Sequence, residues 1–434
     1  FIDNQGNFGA DGIVGPHHEK EGSFYTIKQL WSPVQIMNTS VDKQFDGKFS
    51  VENRYDFLNL NTCRFLWKQV KFPTATDASN TTAQVLKQGE VQGSDVAAHS
   101  AGVLDIKTTI LPDADALFLT AIDRYGHELW RWTFPVNKLN QANEVLSPLS
   151  NKVTSTETEN ELTVKAKNHT FIFSKKDGQL KGVSVNNRKI SFANGPRFIG
   201  ARRADRSLDQ FYNHDDEKAK EKDRTYSEFP DAAVFTKLDV KEDGGNLIVT
   251  ADYKLGNLDK VQWTINPNGE AVLDYTYNFS GVVDLMGICF DYPEDQVISK
   301  RWLGAGPYRV WQNRIHGTQY DVWENDYNDP IPGETFTYPE FKGYFGSVSW
   351  MNIRTKEGTI SLTNETPDAY IGVYQPRDGR DRLLYTLPES GISVLNVIPP
   401  VRNKVNSTDL CGPSSQPKWV NGPQSGRIIF RFME

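Results

Sequence analysis

From Val34 onward this chain is a succession of short β-branched or aromatic runs divided by turn-forming residues, a rhythm that admits little besides packed antiparallel sheets. Up to Val136 the runs are "VQIMN", "FSVENRYDF", "RFLWKQV", "VLDIKTTI", "ALFLTAI" and "ELWRWTFPV", each bounded by polar residues. One stretch has helical periodicity instead. In "EKEGSFYTIKQLWSP" the apolar Phe24, Ile27, Leu30 and Trp31 recur at helical spacing, and Pro33 follows as a stop.

The runs up to Val136 fill the length of one immunoglobulin- or fibronectin-like sandwich, expected over 33–138. Next comes "NKLNQANEVLSPLSNKVTSTETENE", rich in Asn, Ser and Thr and nearly aperiodic, which places a linker at 139–155. Strand-like runs resume with "ELTVKAK", "TFIFSKK", "LKGVSV" and "KISFA", divided by Asn168, Asp177-Gly178 and Asn186-Asn187, residue types that make tight hairpins without strain. They continue through "NLIVTADYKL", "KVQWTIN", "AVLDYTYNF", "SVSWMNI", "TISLTN" and "AYIGVYQ" to a last run, "GRIIFRF". This second series, 156–434, is too long for one small sandwich and predicts a large two-sheet supersandwich. The expected class is therefore all-β.

Composition narrows the function. A net charge of -7, with no long run of Lys and Arg, argues against nucleic acid, because phosphate neutralisation needs a basic patch. The one basic cluster, "ARRADR", contains its own Asp205. Cys63, Cys289 and Cys411 are far apart and form no CxxC, so they predict free thiols rather than a zinc site or a disulfide framework. No apolar run reaches the roughly 18 residues of a membrane span. Sequons at Asn38, Asn80, Asn168, Asn278, Asn364 and Asn406 are of the number that a polar β-protein produces by chance.

Several clusters invite a chemical reading. "NFGADG" near the start places the Asp11 carboxylate between glycines; spacing leaves open a plain turn needing Gly9 and Gly12, or oxygen ligands converging on a hard cation or a sugar hydroxyl. His214, Asp215, Asp216 and Glu217 are consecutive, point in different directions, and suit a solvated loop better than a metal. His17 and His18 abut the helix start, while His99, His127, His169 and His316 are isolated and pair with no nucleophile. Trp302, Tyr308, Trp311, Tyr320, Trp323 and Tyr327 crowd one stretch; flat rings suit sugar faces, and an aromatic core accounts for them at least as well.

"RWLGAGPYRVWQNR", Arg301 to Arg314, resembles the W-L-G-x-G-P-x-E-N-Y-P-D-R stretch of the last domain of family 2 β-galactosidases. Three further likenesses are collinear with it. "GADGIVGPHHEKEGSFYTIKQL" is similar to the end of that family's catalytic (β/α)8 barrel, "SVENRYDFLNLN" to the sandwich after the barrel, and "GPRFIGARRADRSLDQ" to the R-A-P-x-D-N-D segment of the last domain. The resemblance implies a short helical barrel remnant over 1–32, a linking sandwich, and a supersandwich of the galactose-mutarotase type.

It also implies that the acid/base and nucleophile glutamates lie upstream, so no catalytic residue is expected in this chain. Phe8 and Asp11 correspond to the family's sodium ligands, a phenylalanine carbonyl and an asparagine side chain, with Asp here in place of Asn; Asp11 is also a substrate-binding candidate. In this chain the loop carrying them is expected to be idle and mobile. Magnesium or calcium, where used, belongs to the barrel. Trp419, in "SSQPKWVNGP", corresponds to the tryptophan that the last domain extends into the sugar site. Arg309 and Asn313 replace the motif's Glu and Asp, which argues against galactose as the substrate of the parent enzyme.

The implied partners are a β-galactoside or related glycan, the rest of the glycosidase chain, and further subunits of a homo-oligomer. With the true start implied upstream of Phe1, periplasmic, extracellular and cytoplasmic settings all stay open. The principal expectation is a non-catalytic region of a retaining exo-β-glycosidase that braces the barrel and helps shape the sugar subsite. A stand-alone carbohydrate-binding module is the alternative, and a mutarotase- or lyase-like enzyme is a third reading that fold alone does not support.

Overall fold

In a computed structural model, the described residues are 13–14, 20, 22–77, 82–136, 152–203, 226–326, 343–373, 388, 390–400 and 412–434. Alternation of buried and exposed side chains sorts the first strands into two facing sheets. One contains Val34–Ile36, Lys48–Asn53 and Ser100–Asp105; the other runs Gln84–Gln92, Arg64–Lys71, Ala116–Ile122, Glu128–Pro135. Phe49, Val51 and Leu104 from the first sheet meet Phe65, Leu117, Leu119 and Phe134 from the second, with Phe49 stacked on Phe134 at 5.1 Å. This is the expected sandwich.

Two large antiparallel sheets follow. The first runs Tyr370–Val373, Ile392–Val397, Leu285–Asp291, Ala193–Arg203, Leu180–Val185, His169–Ser174, Glu161–Ala166, Thr154–Glu157, with Arg188–Ile190 and Tyr226–Glu228 paired alongside. The second runs Val234–Asp243, Asn246–Lys254, Leu258–Ile265, Ala271–Val283, Lys418–Met433, Gly358–Asn364, Trp350–Thr355, Val297–Gly306, Gln319–Asp326. Between them lies an aromatic core in which Phe192 stacks on Phe290 at 4.5 Å and Trp263 meets Phe290 edge-on. Lys418–Met433 is the central strand of the second sheet; Phe430 and Phe432 sit in the core near one end, and Trp419 stands at the other.

Several strands escaped the sequence reading for opposite reasons. Val234–Asp243 and Gln84–Gln92 are mostly exposed edges with little apolar signal, whereas Leu285–Asp291 and Ile392–Val397 are buried almost throughout and do not alternate. Residues 139–151 of the expected linker lie outside the described residues, and Thr154–Glu157 is already strand. The expected helix is Gly22–Leu30. Its stripe is narrower than the periodicity implied: Leu30 and Trp31 stand 49% and 78% exposed, because the chain turns there into the first strand.

The two sandwiches share a buried seam. Val70, Phe72, Ala116 and Phe118 of the first pack with Leu303 and Trp350 of the second. Polar contacts fix the register: Trp350 Nε1 donates to the Pro73 carbonyl at 3.0 Å, and Asn352 Nδ2 to the Ala75 carbonyl at 2.8 Å.

Candidate functional site

The motif strand Val297–Gly306 lies between Trp350–Thr355 and Gln319–Asp326. Trp302 is fully buried, donates through Nε1 to the Ala305 carbonyl at 3.0 Å, and meets Phe345 edge-on at 4.8 Å. Gly306 is required by close approach: a Cβ there would run into the Trp323 ring, whose Nε1 donates to the carbonyls of Gly304 and Gln319. The "WLGAGP" run thus ends its strand beneath an indole.

Beyond Pro307 the chain forms a hub joining three parts of the fold. Tyr308 packs against Tyr25 of the helix at 4.8 Å and donates to the Lys20 carbonyl at 3.3 Å. Thr26 Oγ1 donates to the His316 carbonyl at 2.8 Å, and the Gly317 N–H donates to Gln29 Oε1 at 2.6 Å. Lys28 reaches Glu128 of the first sandwich at 3.0 Å, so the helix is tied to both sandwiches.

The rest of the hub leads to Trp419. Val310 exchanges backbone hydrogen bonds with Tyr344, and buried Trp311 meets the Tyr344 ring edge-on at 5.5 Å. Gln312 donates from Nε2 to the carbonyls of Ser414 at 2.9 Å and Gln416 at 2.6 Å, while its own N–H donates to Pro399 O at 3.0 Å. Asn313 Nδ2 adds a hydrogen bond to Ser415 Oγ at 3.2 Å. The segment 412–416 is therefore held at the motif, and shortly after it Trp419 stands 71% exposed on the Lys418–Met433 strand.

Electrostatics at the hub favour packing over proton transfer. Burial pushes the Tyr320 phenol up to about 12, and burial together with the Tyr25 contact pushes Tyr308 higher still, so both phenols stay neutral. Asp321 pairs with Arg131 at 3.0 Å, yet burial outweighs that attraction and raises its carboxyl above the usual range. Elsewhere His99 pairs with exposed Asp56 and His127 with Asp123, while buried His169 donates from Nε2 to the Phe432 carbonyl at 2.8 Å. Cys63 and Cys289 are buried free thiols, with burial pushing Cys289 up to about 11.

Of the candidates from sequence, Trp302 and Trp311 belong to the core, Tyr308, Tyr320 and Trp323 are half-buried, and Trp419 is exposed. Phe8, Asp11, His17, His18, His214, Asp215, Asp216, Glu217, Tyr327 and Cys411 lie outside the described residues. Among the described residues no group of three or more His, Cys, Asp or Glu side chains is placed to hold a metal ion. No described helix is long and apolar enough to cross a membrane. The Gln312 tether was missed because its partners lie about a hundred residues away, which no local pattern registers.

A family model described as Beta galactosidase small chain matches residues 165–397. A β-galactosidase from Priestia megaterium is 22% identical over 384 residues, covering 84% of this chain and 34% of that protein. The chain thus spans about a third of the length of that relative. Among solved structures, a galactose 1-epimerase from Lactobacillus acidophilus NCFM aligns at 10% identity and a TM-score of 0.37, covering 66% of this chain and 99% of its own. A putative mutarotase from Salmonella typhimurium aligns at 9% identity and a TM-score of 0.30, covering 68% and 97%.

Proposed function

The chain belongs to the β-galactosidase small-chain family, and from that premise we propose that it is the non-catalytic part of a retaining exo-β-glycosidase, bracing the catalytic portion and shaping one side of its sugar subsite. The observation that carries this reading is the Gln312 tether, which holds the chain just before an exposed tryptophan. An indole face exposed to water at the end of a central strand offers apolar area to the C–H face of a sugar. The strand beneath it pairs along Ala271–Val283, so the ring is mounted on a rigid element.

The bracing role is supported by the helix Gly22–Leu30, clamped between Glu128 of one sandwich and the 308–317 hub of the other. The Phe8 carbonyl and the Asp11 carboxylate are proposed as oxygen donors to a sodium ion in the longer enzyme. Hydrolysis itself is assigned to two carboxylates outside this region.

Incubating this chain with nitrophenyl β-glycosides tests the assignment. No nitrophenol above the uncatalysed rate is expected; release at the rate of a complete glycosidase overturns it.

A further inference from the structure

The outer face of the second large sheet carries a groove with no part in the hub. It has a volume of about 400 Å³, within the range of small-ligand sites, and opens above the adjacent strands Leu258–Ile265, Ala271–Val283 and Lys418–Met433. Its wall is a fixed ionic lattice. Arg427 Nη1 donates to both oxygens of Asp274, at 2.8 and 2.9 Å, and its Nε lies 3.1 Å from Glu365. The loop bearing Glu365 is pinned by its own N–H to the Arg427 carbonyl at 3.0 Å and by the Thr366 hydroxyl, which accepts from the Arg427 N–H at 3.0 Å.

Facing this lattice are groups that the fold leaves uncommitted. Lys260, Gln262 and Ser425 line the same groove, and among the described residues their side chains have no hydrogen-bond or ion-pair partner. Gln262 is half-buried, which makes its idle amide harder to attribute to a solvated surface. Thr276 adds a hydroxyl, donated to Asp259 at 3.3 Å.

We propose that this groove binds a neutral saccharide of one or two rings. Lys260 and Arg427 balance Asp274 and Glu365, so the lining is formally neutral: an anion meets two carboxylates and a cation meets two basic groups. Pro367 and Tyr275 add apolar lining beside these groups, as the C–H face of a sugar requires. Vicinal hydroxyls, each both donor and acceptor, match fixed carboxylate oxygens on one side and a free amide, ammonium and hydroxyl on the other. Ser425 lies six residues along the strand from Trp419, roughly 20 Å at a strand's rise per residue, so this site is separate from the tryptophan subsite.

Saturation-transfer NMR and calorimetry on this chain, with galactose, lactose, cellobiose and galactose 6-phosphate at up to tens of millimolar, test the proposal. Binding of at least one neutral sugar is expected, weakened about tenfold or more in Lys260→Ala/Gln262→Ala and in Ser425→Glu, and unchanged in Trp419→Ala. Circular dichroism and thermal unfolding establish that each variant is folded. Three results overturn the proposal: no neutral sugar binding, preference for the phosphorylated sugar, or binding lost only with Trp419. The last leaves the tryptophan subsite intact while removing the groove, so the two readings fail separately.

Discussion

Arg131 of the first sandwich and Asp321 of the second meet at 3.0 Å across the seam, and the same guanidinium lies 4.7 Å above the Phe118 ring and donates to Gln319 at 2.6 Å. The pair is mostly buried, at 22% and 16% side-chain exposure, and burial raises the Asp321 carboxyl even with its partner in place. Arg131 thus keeps a carboxylate charged in a place that disfavours charge.

Arg131→Ala is expected to cost about 1–3 kcal/mol at neutral pH in urea unfolding, between the values for exposed and buried pairs. Without Arg131 the Asp321 carboxyl rises further, so acidification protonates it in the folded state and relieves the strain. The penalty therefore shrinks as pH falls. A penalty that is flat with pH contradicts this account of the pair.

Trp350 tests the seam itself. Its ring is fully buried and its Nε1 is bonded to the Pro73 carbonyl, so Trp350→Ala should cost about 3–5 kcal/mol. Calorimetry should then separate the unfolding of the two sandwiches into distinct transitions. A single transition at the original temperature would contradict the assignment of Trp350 as a main support of the seam.

The helix is held to the hub partly through Gln29, the acceptor for the Gly317 N–H. Gln29→Ala should faster expose that amide to hydrogen exchange and cost about 1 kcal/mol locally, the typical worth of one such bond. Unchanged protection at Gly317 would mean that the remaining contacts suffice.

His169 supplies a pH dependence. Burial depresses its pKa below the ordinary 6.5, so the folded state prefers neutral imidazole, which donates to the Phe432 carbonyl. Above 6.5 both states are neutral and its contribution is intact; as pH falls below 6.5 the unfolded chain takes up the proton first and stability declines. Unfolding of His169→Gln compared with the parent between pH 7 and pH 5 should show a shallower decline. Parallel curves would refute the assignment.

Much of the fold was legible where local pattern and tertiary role coincide. "ALFLTAI" is the strand Ala116–Ile122, and Asn186-Asn187 takes φ of +47° and +65° in a hairpin, as a turn of two asparagines predicts. Edge strands such as Val234–Asp243 lacked a buried face to write in the sequence, and strands buried on both faces lacked a polar one. The hub divided in the same way. Its motif stood out as a run of residues, but Arg131 with Asp321 and Gln312 with Ser414 are relations between distant segments, and only folding brings them together.

The proposed subsite rests on Trp419 being held where a sugar passes, with Gln312 as its positioning residue. Michaelis kinetics of Trp419→Ala and Gln312→Ala in the longer glycosidase measure this directly. For the first, KM for a nitrophenyl β-glycoside should rise about tenfold, equal to roughly 1.4 kcal/mol, with kcat changed less. For the second, a smaller rise in the same constant is expected. An unchanged KM in Trp419→Ala would contradict the assignment of this region to the sugar subsite.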